Sequence, residues 1–290
     1  MNIALTGSSG LIGSQLLIDL REMGHNILCI SSTITNSKEK NIYSYDELEL
    51  SDINFKADCI LHLASINSDL HESQIPQELE LLEKTISLMQ TLKCSNIVFF
   101  STIKVYGDNS FAFQEIHEDS LLNPKCFYGK AKKKCEEVIF QNAINDSFRY
   151  IILRLPPIFV NNTKSNMGKL FTIIQRGLPI PSFKIGNKNQ RSFLSYDLLL
   201  HVVNIFCSDL NQIKNLTLNV ADSKPISTNE LYLKIGKSLN QSVRIFYLPN
   251  IIFQLMMRFN RLQLILVRLF GNFSISNARL KKEFKIPDHF

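Results

Sequence analysis

Apolar residues in the first half of the chain come in short runs, each followed by a longer stretch of helical period. Asn2–Leu5 is the first run, Leu11–Met23 the first helical stretch, and Gly24 ends it. Ile27–Ile30, Ile60–Ala64, Ile97–Phe100 and Tyr150–Leu155 repeat the strand pattern, and Leu216–Val220 is a later instance. Between them the spacing predicts helices near Gln77–Leu92, Tyr128–Ile144 and Tyr196–Cys207. Runs that are apolar throughout, rather than alternating, belong to strands covered on both faces. Their alternation with helices predicts an α/β fold built on a doubly wound parallel sheet.

Two parts of the chain break the rhythm. Residues 31–59 are polar, with no clear helix, and carry at most a weak strand near Ile42–Ser44. After Leu155, prolines and glycines punctuate short apolar runs, as in GLPIPSF (177–183). Such loop-rich segments build binding regions upon a rigid sheet. The expected division is therefore a sheet domain over 1–157 and a smaller C-terminal substrate-binding region over 158–290. Residues 190–221 are expected to return to the sheet domain, and a helical tail to run from Thr228 onward.

Composition narrows the classes. The chain has 290 residues, 45% apolar and 20% charged, which excludes a disordered chain. A net charge of +6 suits a phosphate-bearing ligand but is too diffuse to predict a nucleic-acid partner. The six cysteines are scattered without ligand spacing, which fits a reducing, cytoplasmic setting. The six histidines show no metal-ligand spacing either, so no metal is assigned. MNIALTG reads as strand and turn, so no leader is expected. Residues 249–271 (PNIIFQLMMRFNRLQLILVRLFG) are interrupted by Arg258, Arg261 and Arg268, too often for a transmembrane segment. They are expected to form core or substrate-covering helices, with an amphipathic surface anchor as the alternative.

Three motifs carry chemistry. Thr6-Gly7-Ser8-Ser9-Gly10-Leu11-Ile12-Gly13 joins the first strand to the first helix. Gly7 allows the tight turn, Gly10 lets a pyrophosphate near the backbone, and Gly13 lets the helix pack closely. The helix start offers free N–H groups and partial positive charge to phosphate. Second, the strand over Ile97–Phe100 ends in Ser101 and Thr102, where ligands sit in open α/β sheets. Third, Tyr128-x-x-x-Lys132 places a phenol and an ammonium on one helix face. A phenol with a pKa near 10 needs a nearby cation to move protons at neutral pH. Lys130, Lys133 and Lys134 fall on other faces. Each motif alone has an ordinary reading: a Gly/Ser turn, hydroxyls capping backbone, a solvated helix face.

In this order, on these elements, the motifs resemble the extended short-chain dehydrogenase/reductase family, in its NAD-dependent epimerase/dehydratase branch. The resemblance runs from Met1 to about Pro287 and implies a Rossmann-type fold with NADP(H) or NAD(H) as cofactor. It implies that Thr102, Tyr128 and Lys132 are catalytic, with Tyr128 the acid/base and Lys132 its pKa-lowering, ribose-binding partner. Cofactor contacts would come from Gly7, Ser9, Gly10, Leu11, Ile12, Gly13, Ser31, Tyr128 and Lys132. Leu63, Ala64 and Ser65 of the HLAS stretch and Pro156 of the RLP stretch would complete the set. Ser101, Lys104, Arg191 and Pro181 would meet substrate. Arg191 opens RSFLSYD, which resembles the segment whose arginine clasps the diphosphate of a nucleotide sugar, a task that suits a guanidinium fork.

Dehydratases of this branch carry an Asp-Glu pair where this chain has Ile103-Lys104, so elimination of water is not expected. Ser31 stands where NAD-preferring relatives place an acid, and Lys38 and Lys40 follow, which leans to NADP(H). The combined motifs resemble reductases acting on a UDP-4-keto-6-deoxy-HexNAc, whose products feed O-antigen or capsule synthesis. The alternative is a UDP-glucose or UDP-HexNAc 4-epimerase, and beyond it a non-catalytic cofactor sensor. The helix over Gln77–Leu92 carries one apolar stripe of Leu79, Leu82, Ile86 and Met89 and a second of Leu81, Leu88 and Leu92. A second stripe, left outward, predicts a homodimer through a four-helix interface.

Overall fold

The short apolar runs become strands of one parallel sheet. The structure is a computed structural model describing residues 1–31, 42–50, 54–66, 69–144, 148–159 and 166–287, with the backbone alone at 48–50, 166 and 167. The sheet strands are β1 (Asn2–Thr6), β2 (Asn26–Ile30), β3 (Ile42–Tyr43), β4 (Cys59–His62), β5 (Asn96–Thr102), β6 (Arg149–Leu155) and β7 (Leu216–Asn219). Every pairing is parallel, in the order β7-β6-β5-β4-β1-β2-β3. The chain winds one way from β1 to β3 and the other way from β4 to β7. The reversal lies between β1 and β4, which is the switch point where such sheets bind ligands. All residues of β4 and β5 are buried, as continuous apolar runs require.

In chain order the helices are α1 (Leu11–Glu22), α2 (Tyr45–Leu50), α3 (Ile75–Thr91), α4 (Phe127–Ala143) and α5 (Asn166–Gln175). They continue with α6 (Tyr196–Ser208), α7 (Thr228–Ser238), α8 (Asn250–Met257), α9 (Asn260–Phe270) and α10 (Ala278–Phe284). Two compact units emerge. The first holds Met1–Gly107, Leu121–Leu155 and Leu199–Val220; the second holds Asp108–Ser120, Pro156–Leu198 and Ala221–Phe290. In the first unit, α3 and α4 cover the sheet with Leu82, Leu88, Met89, Leu92, Cys135 and Ile139. In the second, Phe171 and Ile174 of α5 pack with Leu231, Tyr232 and Ile235 of α7.

Three expectations need correction. The polar stretch after β3 does hold a helix, α2. Ser44 accepts from Glu47 N (3.1 Å) while Glu47 Oε2 accepts from Ser44 N (2.7 Å), a capping box that starts a helix without apolar periodicity. The second stripe of α3 is not outward: Leu88 and Leu92 are fully buried in the sheet core. Leu81 of the same stripe is half-buried, and on α4 Lys130, Lys134 and Glu137 are exposed. Finally, α8 buries no residue and α9 only Leu266 and Phe270, so these are surface rather than core helices. No helix among the described residues is long and apolar enough to cross a membrane.

Candidate active site

The glycine turn is built for close approach. Gly7 has φ +71°, and a Cβ there would lie 2.7 Å from Ala64 N. A Cβ at Gly13 would lie 2.1 Å from Gly7 O, so α1 rests directly on the turn. Gly10 donates to Gly7 O at 3.0 Å and forms the N-cap of α1 with no side-chain cap and no acid in the first turn. The first amides of α1, at Leu11, Ile12 and Gly13, thus face an end that lacks a resident anion.

Beside the turn, β4 ends in His62, followed by half-buried Leu63, Ala64 and Ser65. Thr6 Oγ1 accepts from Ala64 N (3.1 Å) and meets His62 Nδ1 at 3.1 Å. Thr85 Oγ1 lies 2.9 Å from the same nitrogen and 3.1 Å from Tyr45 OH. Burial, and then the charge of Lys132, push the His62 imidazole down to about 3, so it is neutral. Ser65 Oγ is buried without a hydrogen-bond partner among the described residues. An orphaned hydroxyl beside an uncapped, glycine-cradled helix start fits a dinucleotide, because a ligand oxygen would satisfy both.

Thr102 closes β5, buried, with Oγ1 accepting from Lys104 N at 3.3 Å. Gly129 in the first turn of α4 abuts the following loop, where a Cβ would come within 2.5 Å of Lys104 O. That contact seats the start of α4, with Tyr128, against the end of β5. One turn on, Lys132 is fully buried, its Nζ 4.8 Å from the Phe99 ring centroid and 5.9 Å from that of Tyr128. Its counter-ion is Glu78 of α3, with Oε1 at 3.0 Å. Oε2 of the same carboxylate accepts from Ile66 N at 2.9 Å. Burial works against the Lys132 charge, but Glu78 outweighs it and holds the ammonium above its usual range.

Lys132 acts on the phenol in the expected direction, but burial acts more strongly. Burial raises the Tyr128 pKa, Lys132 pulls it down, and Glu78 pushes it up again, leaving it above its ordinary value. Tyr128 is therefore a neutral proton donor in the resting site.

Ser101, expected to meet substrate, instead turns inward. Adjacent strand residues face opposite sides, and Ser101 Oγ donates to buried Glu136 at 2.5 Å. Glu136 also binds Arg154 through both carboxylate oxygens (3.1 and 2.7 Å). Arg154 donates to Tyr106 OH (2.8 Å), which donates to Asn219 Oδ1 (2.8 Å). This buried network fastens α4 to β5, β6 and β7. Sequence reasoning passed over Glu78 and Glu136, although a signal exists. Glu78 shares the stripe of Ile75, Leu82, Thr85 and Met89, where an acid is out of place, and Glu136 follows Lys132 by four residues.

The remaining expected residues are placed as follows. Ser31 is buried, and its N–H donates to Tyr43 O at 3.0 Å. Lys38 and Lys40 lie outside the described residues. Lys104 is half-buried in the turn after Thr102. Three residues belong to the second unit, where Pro156 is buried and Pro181 exposed in the short strand Ile180–Ser182. The third, Arg191, is half-buried, its guanidinium 5.3 Å from the Phe193 ring centroid and 3.5 Å from Leu269 O. Among the described residues it has no carboxylate partner.

Residues 3–197, more than half of the chain, match the model of the NAD dependent epimerase/dehydratase family. The chain belongs to that family. Among curated members, it is 24% identical over 259 residues to a UDP-glucose 4-epimerase of Vibrio cholerae, covering 83% of this chain and 76% of the relative. It is 23% identical over 268 residues to the N-acetyl-alpha-D-glucosaminyl-diphospho-ditrans,octacis-undecaprenol 4-epimerase of Escherichia coli O157:H7, covering 86% and 75%. Among solved structures, a UDP-N-acetylglucosamine 4-epimerase from Bacillus cereus shares the fold, with TM-score 0.77, 17% identity, and coverage of 100% of this chain and 94% of that one. This epimerase/dehydratase-family site thus combines a glycine cradle, a neutral phenol and a buried, acid-paired ammonium at one end of the sheet.

Proposed function

We propose that the chain catalyses hydride exchange at C4 of a diphosphate-linked hexose, such as a UDP-sugar, with NAD(H) or NADP(H). The observation that carries this reading is the pairing of Tyr128 with buried Lys132 on the α4 face seated against the end of β5. When bound, the nicotinamide supplies the hydride chemistry. Gly7, Ser9, Gly10, Leu11, Ile12 and Gly13 would take the pyrophosphate, with Ser31, Leu63, Ala64, Ser65 and Pro156 along the rest of the cofactor. Tyr128 gives a proton to the C4 oxygen during reduction and recovers it during oxidation, and Thr102 hydrogen-bonds to the same oxygen. An ammonium has three donors; Glu78 takes one, leaving the others of Lys132 for ribose hydroxyls. Arg191 would grip the diphosphate, with Lys104 and Pro181 as further substrate contacts.

Epimerisation and net reduction of a 4-keto sugar use these same residues. The names of the relatives favour epimerisation. The absence of an acid at Ser31 favours reduction with NADPH of a UDP-4-keto-6-deoxy-HexNAc, a precursor for surface polysaccharide. The purified protein decides between them. Retained NAD and interconversion of UDP-sugars without added reductant would mark an epimerase. NADPH oxidation seen only with a UDP-4-keto sugar would mark a reductase. In either assay Tyr128→Phe is expected to lower turnover by about a hundredfold or more, and unchanged turnover would overturn the mechanism.

A further inference from the structure

The segment from residue 231 to 282 contains nine of the chain's 32 Lys and Arg and none of its 26 Asp and Glu. The other residues therefore carry a net negative charge, although the whole chain is at +6. Helices α8 and α9 form the middle of this acid-free segment. Their inner sides are accounted for: Ile252, Phe253, Met256 and Met257 pack with Phe183, Leu266 and Phe270. Their outer sides are apolar as well. Ile251 is 71% exposed and Leu255 55%, followed on α9 by Leu264 at 59% and Ile265 at 48%. Phe259, Leu262 and Leu269 are exposed too. Helical spacing puts Arg258 with Ile251 and Leu255, and Arg261 and Arg268 with Ile265. All three arginines are exposed, and none has an acidic partner among the described residues.

We infer that α8 and α9 form a peripheral docking surface for a membrane rich in anionic lipid. Exposed aliphatic residues gain by entering the acyl boundary, and arginines on the same face gain from anionic headgroups. The other occupants fit less well. In a two-fold dimer through this face, Arg258, Arg261 and Arg268 would meet a surface bearing the same three arginines, and the segment supplies no acid to pair with them. A nucleic-acid backbone would satisfy the arginines but leave Ile251, Leu255 and Ile265 in water.

Co-sedimentation of the full-length protein with vesicles tests this. Phosphatidylcholine vesicles are compared with mixed phosphatidylglycerol/phosphatidylcholine vesicles. The protein is expected to partition onto the anionic vesicles and to be released as salt rises. The triple reversal R258E/R261E/R268E is expected to weaken partition by about a hundredfold, and the uncharged I251S/I265S to weaken it with the net charge unchanged. Equal partition onto both vesicle types, or none onto the anionic ones, would overturn the inference without any variant having to fold. A mass that doubles with concentration in light scattering, and reverts in I251S/I265S, would overturn it in favour of a second copy.

Discussion

At the scale of single residues, the site turns on a carboxylate that its motifs do not contain. Tyr128, Lys132 and Thr102 were legible because residue type, spacing and element coincide. Glu78 lies 54 positions before its partner Lys132, and no local pattern links the two. Only its presence on a buried stripe marked it. The pH profile should reveal it. In Glu78→Gln, either the still-charged Lys132 pulls the phenol down without opposition, or burial strips the lysine of its proton at lower pH. In both cases the alkaline limb of kcat/KM moves to lower pH. The variant also leaves a buried ammonium unpaired, which costs about 3–5 kcal/mol in urea unfolding. An unmoved alkaline limb in a folded variant would leave Glu78 with a structural role alone.

At the scale of elements, periodicity located every strand of the sheet and the helices that carry the site, because continuous apolar runs and helical stripes are forced by two-sided burial. It missed α2, whose capping box Ser44–Glu47 starts a helix too short to show a stripe. It left α8 and α9 open between core, substrate-covering and surface readings, because a high apolar count does not say which side is covered. The junction between β5 and α4 depends on one missing side chain. Gly129→Ala puts a methyl 2.5 Å from Lys104 O, so the helix start or the loop must shift. The expected cost is about 1–3 kcal/mol, with turnover falling by more than cofactor affinity, since the shift displaces Tyr128 relative to Thr102. Denaturant unfolding and a cofactor titration check the two parts.

At the scale of the whole molecule, the order of strand and helix segments was readable, whereas their lateral arrangement and the buried polar networks were not. Such networks join residues remote in sequence, as Thr6, His62, Thr85 and Tyr45 do. They also set acid sensitivity. Unfolded His62 takes up a proton near its ordinary 6.5, while the folded residue refuses it until about 3. Its contribution to stability is therefore full above about 6.5 and is lost as pH falls toward 3, at about 1.4 kcal/mol per pH unit. Between pH 7 and pH 5 the protein should lose about 2 kcal/mol more than His62→Asn does, as measured by urea unfolding. The network from Glu136 through Arg154 and Tyr106 to Asn219 has a different consequence, one of timing. A ribosome completes β6 at Leu155 and must still synthesise residues 156–215 before β7 emerges. Until then the network is missing Asn219 and β6 is an open sheet edge, prone to pairing with other chains. A nascent chain stalled in that interval is the form most in need of a chaperone.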